Sequence, residues 1–129
     1  MRKNLLLTVI VVAILIVSSK VICKLFVENE REISDFSIDN FNYYIKKFPS
    51  DKVLGEVNSY EDAESKAEEV WIEIYGESVK TNRPYIISFD NINQIWLVSG
   101  SLSDNQFGGV PHILIQKSDG KVLAVWHDK

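Results

Sequence analysis

Two histidines are the first residues of this sequence whose types and spacing could support chemistry at a site. His112 and His127 flank the dipeptide Asp119-Gly120, which favours a tight hairpin turn. A two-residue turn would place the histidines opposite each other with Asp128 on the other face, whereas a three-residue loop would place His112 opposite Trp126. The sequence offers no third ligand beside them, so polar contacts at a sheet edge are favoured over a metal site.

A glycine pair precedes the strand that contains His112, in the segment Gly108-Gly109-Val110-Pro111. A phosphate-binding loop needs its glycines after a strand and before a helix, so we predict that this segment only steers the chain into a strand. The residues beside it, from Asp104 to Phe107, form the tip of the loop. For contact with a partner, Phe107 is the exposed apolar candidate, together with Gly108, Gly109 and His112.

Catalysis has no visible basis in the sequence. General acid–base catalysis requires titratable groups inside a pocket, and Asp90 and Asp104 fall in predicted loops. No nucleophile–base pair is apparent. The single cysteine, Cys23, excludes an intrachain disulfide and a cysteine-ligated zinc site. We therefore predict a protein without catalytic residues, metal or cofactor.

The charge of the chain narrows the choice of partners. The first 27 residues hold four of the 14 basic residues and none of the 18 acidic residues, so the rest of the chain carries a net charge of −8. A nucleic-acid-binding domain needs a basic surface, which excludes DNA and RNA as expected partners. The acidity fits a basic protein partner, and it also fits a role in solubility alone.

Residues 1–27 are predicted to be a signal peptide or an N-terminal membrane anchor. The apolar run over residues 5–17 has the length of a signal-peptide core, and cleavage after Ser19 would release the protein. If the Lys20 amine reaches the membrane surface, the apolar run extends to residue 22, about 27 Å of helix, and stays in the bilayer. In both cases the domain is expected outside the cytosol, and the membrane is contacted only through this segment.

The periodicity predicts the elements that position these residues. Residues 28–36 are charged and are predicted to be a spacer before a domain over residues 37–129. A short helix is predicted after Ser37 and before Pro49, with Phe41, Tyr44, Ile45 and Phe48 on one face. Four β-rich runs follow Pro84: YIISF, IWLVSGSL, VPHILIQK and KVLAVWH. We predict an α+β domain, in which one long and one short helix pack on a four-stranded antiparallel meander that forms a small cone-like sheet.

The long helix is predicted from the run NSYEDAESKAEEVWIEIYG, with Asn58 or Ser59 as its N-cap and Gly76 at its end. Its core face is predicted to hold Ala63, Ala67, Val70, Trp71 and Ile74. The opposite face holds Glu61, Ser65, Glu68, Glu69 and Ile72. Glu61, Glu68 and Glu69 around the apolar Ile72 would suit a basic partner surface. The alternative is that the short helix packs over Ile72.

Several of these segments, taken in order, resemble a known family. AEEVWIEIYGESV, RPY, a Trp-containing strand and GGVPHILIQKSDGKVLAVWHDK are similar to small immunity proteins with the nuclear transport factor 2 fold, over roughly residues 58–129. Those proteins are associated with bacterial polymorphic toxin systems, including Rhs-type toxins, and often carry an export signal. The resemblance implies that the chain binds and neutralises a cognate toxin without catalysis. His112 stands where an aromatic residue such as Tyr is expected.

Two other functions remain open at the level of sequence. The domain also resembles the PepSY group, which pairs a helix with a meander and is proposed to regulate peptidases; here the peptidase would be at the cell envelope. A cavity between helix and sheet could instead bind a small ligand.

Overall fold

The structure is a computed structural model that describes residues 33–129. These residues form one compact unit, Ile33–Lys129. The predicted signal peptide or anchor over residues 1–27 and the first part of the predicted spacer lie outside the described residues. Among the helices that the structure describes, none is both long enough and apolar enough to cross a membrane.

Five strands form a single sheet in the order of the chain. They are β1 (Ser34–Asp35), β2 (Ile86–Asp90), β3 (Ile95–Ser99), β4 (Pro111–Gln116) and β5 (Val122–His127). The predicted antiparallel meander is present as β2 to β5. The prediction of a wholly antiparallel four-stranded sheet is wrong, because β1 pairs with β2 in parallel. A strand of two residues is too short to show an alternating pattern in the sequence. The pairing of β1 with β2 includes a hydrogen bond of 2.6 Å between the hydroxyls of Ser34 and Ser88.

The helices are α1 (Asn42–Lys47) and α2 (Tyr60–Tyr75), and short 3-10 helices cover Ile38–Phe41 and Glu77–Asn82. The predicted ends of α2 are confirmed. The Ser59 hydroxyl accepts a hydrogen bond from the Asp62 amide at 3.1 Å, as an N-cap does. Gly76 ends the helix with φ of 88°, a conformation that a side chain would strain.

One face of the sheet packs against α2. Ala63 and Ala67 are fully buried and bring the helix backbone close to the strands, while Trp71 fills the space beside them. The indole N–H of Trp71 donates to the His112 carbonyl of β4 at 3.4 Å. The buried residues of this cluster are Val57, Ala63, Ala67, Val70, Trp71, Val79, Tyr85, Ile87, Trp96, Val98, Ile113, Ile115 and Val122.

The other face of the sheet packs against α1 and the 3-10 helix before it. Phe41, Tyr44, Ile45 and Phe48 all contact this face, and they are the residues whose helical spacing predicts one shared apolar side. The Tyr44 ring stacks on the Trp126 indole with 4.4 Å between centroids. The alternative in which the short helix packs over Ile72 is wrong, because Ile72 belongs to the opposite side of the sheet.

The start of the first 3-10 helix differs from the prediction. The Ser37 side chain makes no capping hydrogen bond. The Asp90 carboxylate, at the end of β2, accepts from the Ile38 amide at 2.8 Å instead. The helix is therefore capped by a carboxylate that is distant in the sequence, and not by the neighbouring serine hydroxyl that we predict.

Candidate partner-binding surface

The β3–β4 loop, residues 100–110, lies at one end of the sheet. Ser99, just before the loop, pairs with His112, just after it. The second 3-10 helix reaches the same end, because the Ser101 amide donates to the Asn82 carbonyl at 2.8 Å. The C-terminus of α2 is there too, since Tyr75 contacts His127 of β5 at 5.4 Å between ring centroids. We call this part of the molecule the loop end.

Exposed apolar side chains concentrate at the loop end. Of the nine large apolar side chains that are exposed in the described residues, five lie here: Ile74, Tyr75, Ile86, Leu102 and Phe107. Phe107 is 99% exposed, in agreement with its prediction as an exposed apolar residue. Its contact with a partner stays a prediction. Exposure of a phenylalanine ring to water is unfavourable in free energy, and burial of the ring in an interface would remove that cost.

The two glycines beside Phe107 serve different geometric needs. Gly108 has φ of 108°, which a residue with a side chain rarely adopts. Gly109 instead lies against the backbone of Asp128, and a Cβ atom at Gly109 would overlap the Asp128 carbonyl. Pro111 then begins β4, as predicted. The glycine segment thus shapes the loop and holds it against the end of the chain.

His112 has a different neighbourhood from the one that a two-residue turn would give it. It lies opposite Trp126, as the three-residue loop predicts, and its ring stacks on the indole with 5.0 Å between centroids. Asp128 is not on the other face, because its Oδ2 lies 2.6 Å from His112 Nε2. The pairing with Trp126 does not come directly from the turn. Ile115 pairs with Val122, and an irregularity between Leu114 and Ile115 then shifts the register by one residue, which brings His112 opposite Trp126.

His127 points away from His112 and packs on Tyr75, so the structure does not bring the two histidines together. Its Nδ1 donates to the Asp128 carbonyl at 2.6 Å. Within residues 33–129, no three side chains of the His, Cys, Asp or Glu type lie close enough to hold a metal ion.

A Ser–His–Asp series lies at the base of the loop, and the sequence reasoning missed it. The Ser99 hydroxyl is 2.8 Å from His112 Nδ1, and His112 Nε2 is 2.6 Å from Asp128. The order is that of a nucleophile, a base and an orienting carboxylate. Acyl transfer also needs N–H donors for an oxyanion, yet the two amides that follow Ser99 already donate to Pro111 and Asn82 carbonyls, both at 2.8 Å. The geometry therefore suits a link between β3, β4 and the C-terminus better than a reaction.

The acidic patch predicted on α2 is only partly present. Glu61 and Glu69 are exposed, whereas Ile72 is half-buried and packs against the core. Contact of these residues with a partner stays a prediction. Glu68 is half-buried, forms an ion pair with Arg83 and accepts from the Tyr85 hydroxyl at 2.6 Å. The Arg83 guanidinium holds the pKa of Glu68 below its usual range, against the effect of burial.

The core face of α2 also differs from the helical-wheel prediction. Ala63, Ala67, Val70 and Trp71 are buried as predicted, but Ile74 is 49% exposed near the end of the helix. The chain folds back after Gly76 as a 3-10 helix that packs on α2, so more than one stripe of the helix is covered. A helical wheel considers α2 alone and could not include that contact.

Asp90 and Asp104 have different environments. Asp90 is buried at the end of β2, and hydrogen bonds from Asn93 and Ile38 lower the pKa of its carboxyl. Its carboxylate accepts four hydrogen bonds, all from Ile38, Ile92 and Asn93 of the same domain. Asp104 is exposed in the β3–β4 loop. The buried acid thus serves as a structural acceptor, and the exposed one is available to a partner.

Comparison with known proteins shows a family to which this chain is similar. A family model described as "NTF2 fold immunity protein" matches residues 63–129, just over half of the chain. The match includes most of α2, the strands β2 to β5 and the whole β3–β4 loop. No curated protein and no solved structure matches the chain.

Proposed function

This chain belongs to the family of NTF2-fold immunity proteins, and we propose that it binds and neutralises a cognate toxin of a polymorphic toxin system, of the Rhs type. The family match is the observation that carries the proposal. It covers the elements that build the loop end, where the exposed apolar side chains concentrate.

In this proposal the chain blocks the toxin by binding to its surface, and no residue of the chain catalyses a reaction. Two polar side chains that could act in catalysis are engaged in structural hydrogen bonds: Asp90 accepts from the first 3-10 helix, and His112 links Ser99 to Asp128. Every buried polar side-chain atom in the described region has a hydrogen-bond partner. A polar interior satisfied in this way supports a rigid binding scaffold.

The proposed toxin surface is basic. Residues 33–129 hold 15 acidic and nine basic side chains, a net charge of −6. Opposite net charge accelerates the encounter of two proteins and matters less as salt increases. On α2, the exposed Glu61 and Glu69 would add to this attraction.

The site of action is proposed to be outside the cytosol. Residues 1–27 either anchor the domain to the membrane or are cleaved near Ser19 to release it. An exported immunity protein would meet its toxin at the cell envelope, before the toxin reaches its target. The family match supports this function over the PepSY-like alternative. The side chains of Phe41, Tyr44 and Phe48, which cover the sheet face opposite α2, argue against a small-ligand site on that face.

Co-expression tests the proposal directly. A gene adjacent to this one, whose product is first shown to be toxic on its own, is induced in a bacterial host with and without this chain. We expect survival only when the chain is present, and no protection against an unrelated toxin. A copy of the gene with an early stop codon controls for effects of the DNA and the RNA. If the intact chain gives no more protection than the stop-codon copy, the proposal fails.

A further inference from the structure

We propose that the β3–β4 loop is a preorganised docking loop whose Phe107 inserts into an apolar pocket of the toxin. We further propose that the hydrogen bonds joining Ser99, His112 and Asp128 position this loop. The inference rests on the proposed function and specifies where and how the toxin is bound. No residue here acts on a bond of the toxin, and His112 is a positioning residue.

The loop is held by hydrogen bonds although its tip is exposed. The Ser103 amide donates to Gln106 Oε1 at 3.1 Å, and the Gln106 amide donates back to the Ser103 carbonyl at 2.9 Å. Gln106 Nε2 reaches the Thr81 carbonyl of the second 3-10 helix at 3.3 Å. The residue before Phe107 is therefore tied to the domain. Phe107 itself contacts water almost everywhere, with 99% of its surface exposed.

A tethered loop with a free aromatic tip is suited to insertion. The ordering of a flexible loop costs free energy on binding, and a loop that is already ordered avoids much of that cost. Aromatic side chains that fill a partner's pocket are among the residues that contribute most to interface affinity. The other apolar side chains at the loop end, Leu102 and Ile86, would then lie in the surrounding contact.

The far side of the loop is fixed through the end of the chain. The Asp128 amide donates to the Val110 carbonyl at 3.2 Å, and Gly109 lies directly against the Asp128 backbone. The Asp128 side chain is in turn bound to His112, which is bound to Ser99. These contacts hold both ends of the loop on one rigid pair of strands. Loss of the His112 bonds would release Asp128 and, with it, the support of the loop.

The charge of the loop indicates the chemistry around the pocket. Asp104 is the one charged residue of residues 100–110, and it is exposed. No basic side chain is present in the loop to oppose it. Together with the net negative charge of the domain, this favours a pocket bordered by lysine or arginine.

Affinity measurements with two matched variants test the docking loop. Phe107→Ala is compared with Ile92→Ala, which removes an equally isolated apolar side chain, 93% exposed, from the β2–β3 turn at the opposite end of β3. The probe is an inactivated form of the toxin against which this chain protects cells in the co-expression experiment. We expect Phe107→Ala to weaken binding about 30-fold or more and Ile92→Ala to leave it unchanged. Equal affinity of the two variants and the unaltered protein would overturn the docking loop.

A double-mutant cycle tests the positioning role of His112. His112→Phe removes both hydrogen bonds and keeps a ring that can stack on Trp126. We expect this change to weaken binding about tenfold and to accelerate amide hydrogen exchange in residues 100–110. In the Phe107→Ala background the same change is expected to cost little, since His112 acts through the position of Phe107. An equal effect in both backgrounds would refute the positioning role.

The outcomes separate this inference from the proposed function. If the unaltered chain protects cells and binds the toxin, and Phe107→Ala still binds as well, the function stands and the docking loop is wrong. If the unaltered chain neither binds nor protects, both fail. Sedimentation of the chain alone tests whether the loop instead binds a second copy of the same chain. A dimer that Phe107→Ala converts to a monomer would assign the loop to a second copy of the chain and overturn the toxin pocket.

Discussion

Replacing Asp90 with asparagine tests whether one buried carboxylate joins the β2–β3 turn to the first 3-10 helix. Oδ1 accepts from the amides of Ile92 and Asn93 at 3.0 and 2.9 Å. Oδ2 accepts from the Ile38 amide at 2.8 Å and from Asn93 Nδ2 at 3.0 Å. Asparagine has the same shape, but one of its two terminal atoms is an NH₂ group that cannot accept these bonds.

The magnitude of the effect follows from which bonds are lost. In Asp90→Asn the side-chain NH₂ group faces two N–H groups from which the carboxylate oxygen had accepted, so those two hydrogen bonds are lost. The other two bonds remain but no longer involve a charged acceptor. A hydrogen bond to a charged group contributes about 1.5–3 kcal/mol, and water can replace part of it at the exposed turn. We expect the free energy of unfolding to fall by about 2–3 kcal/mol in urea denaturation at about pH 7. Asp39→Asn, an exposed aspartate of the 3-10 helix, should change it by less than about 0.5 kcal/mol.

The pH dependence of the free energy of unfolding tests whether the charge of Asp90 causes this stabilisation. The folded pKa of Asp90 lies below its value in the unfolded chain, chiefly because of the bonds from Asn93 and Ile38. Its stabilisation is thus fully present above the unfolded pKa and is lost as the pH falls through the folded pKa. The difference between the unaltered protein and Asp90→Asn should therefore shrink at about pH 2.5. A difference that stays the same at both pH values would refute the role of the charge.

Three further changes have expected outcomes. Tyr85→Phe removes a buried hydroxyl that donates to a carboxylate of α2, and chemical denaturation should show a loss of about 1–2 kcal/mol; an unchanged midpoint would contradict that bond's contribution. Gly109→Ala should lower the melting temperature, because the new Cβ would overlap the Asp128 carbonyl; an unaltered melting curve would show that the loop yields freely. Glu69→Lys should slow association with the toxin at low salt more than Asp51→Lys, a matched reversal at another exposed site; equal rates would remove α2 from the interface.

Much of the fold was predictable because its signals are local. The ends of α2 depend on Ser59 and Gly76, whose capping roles involve only their own neighbours in the chain. The β-rich runs after Pro84 coincide with β2 to β5, since alternation and apolar content act within each strand. β1 was missed because two residues have no period. The face that α1 covers was missed because a local pattern shows that a helix is amphipathic and not which surface it meets.

The candidate surface was predictable only in part, for a similar reason. Phe107 and the glycines beside it could be identified from turn chemistry and their place before a strand. A helical wheel places Glu68 and Ile72 on an exposed face, because it does not include the segment that brings Arg83 to Glu68. The bond from His112 to Asp128 depends on the register between β4 and β5, and one irregularity there changes the partner of every residue beyond it.

A stoichiometric titration tests the central claim most directly. The active toxin domain is mixed with increasing amounts of this chain, and its remaining activity is measured after equilibrium is reached. If the chain acts by occupying the toxin, inhibition should rise linearly and become complete at a fixed molar ratio, and removal of the chain should restore activity. Complete loss of toxin activity at a small fraction of one equivalent, without recovery, would show that the chain alters the toxin chemically and would contradict the account.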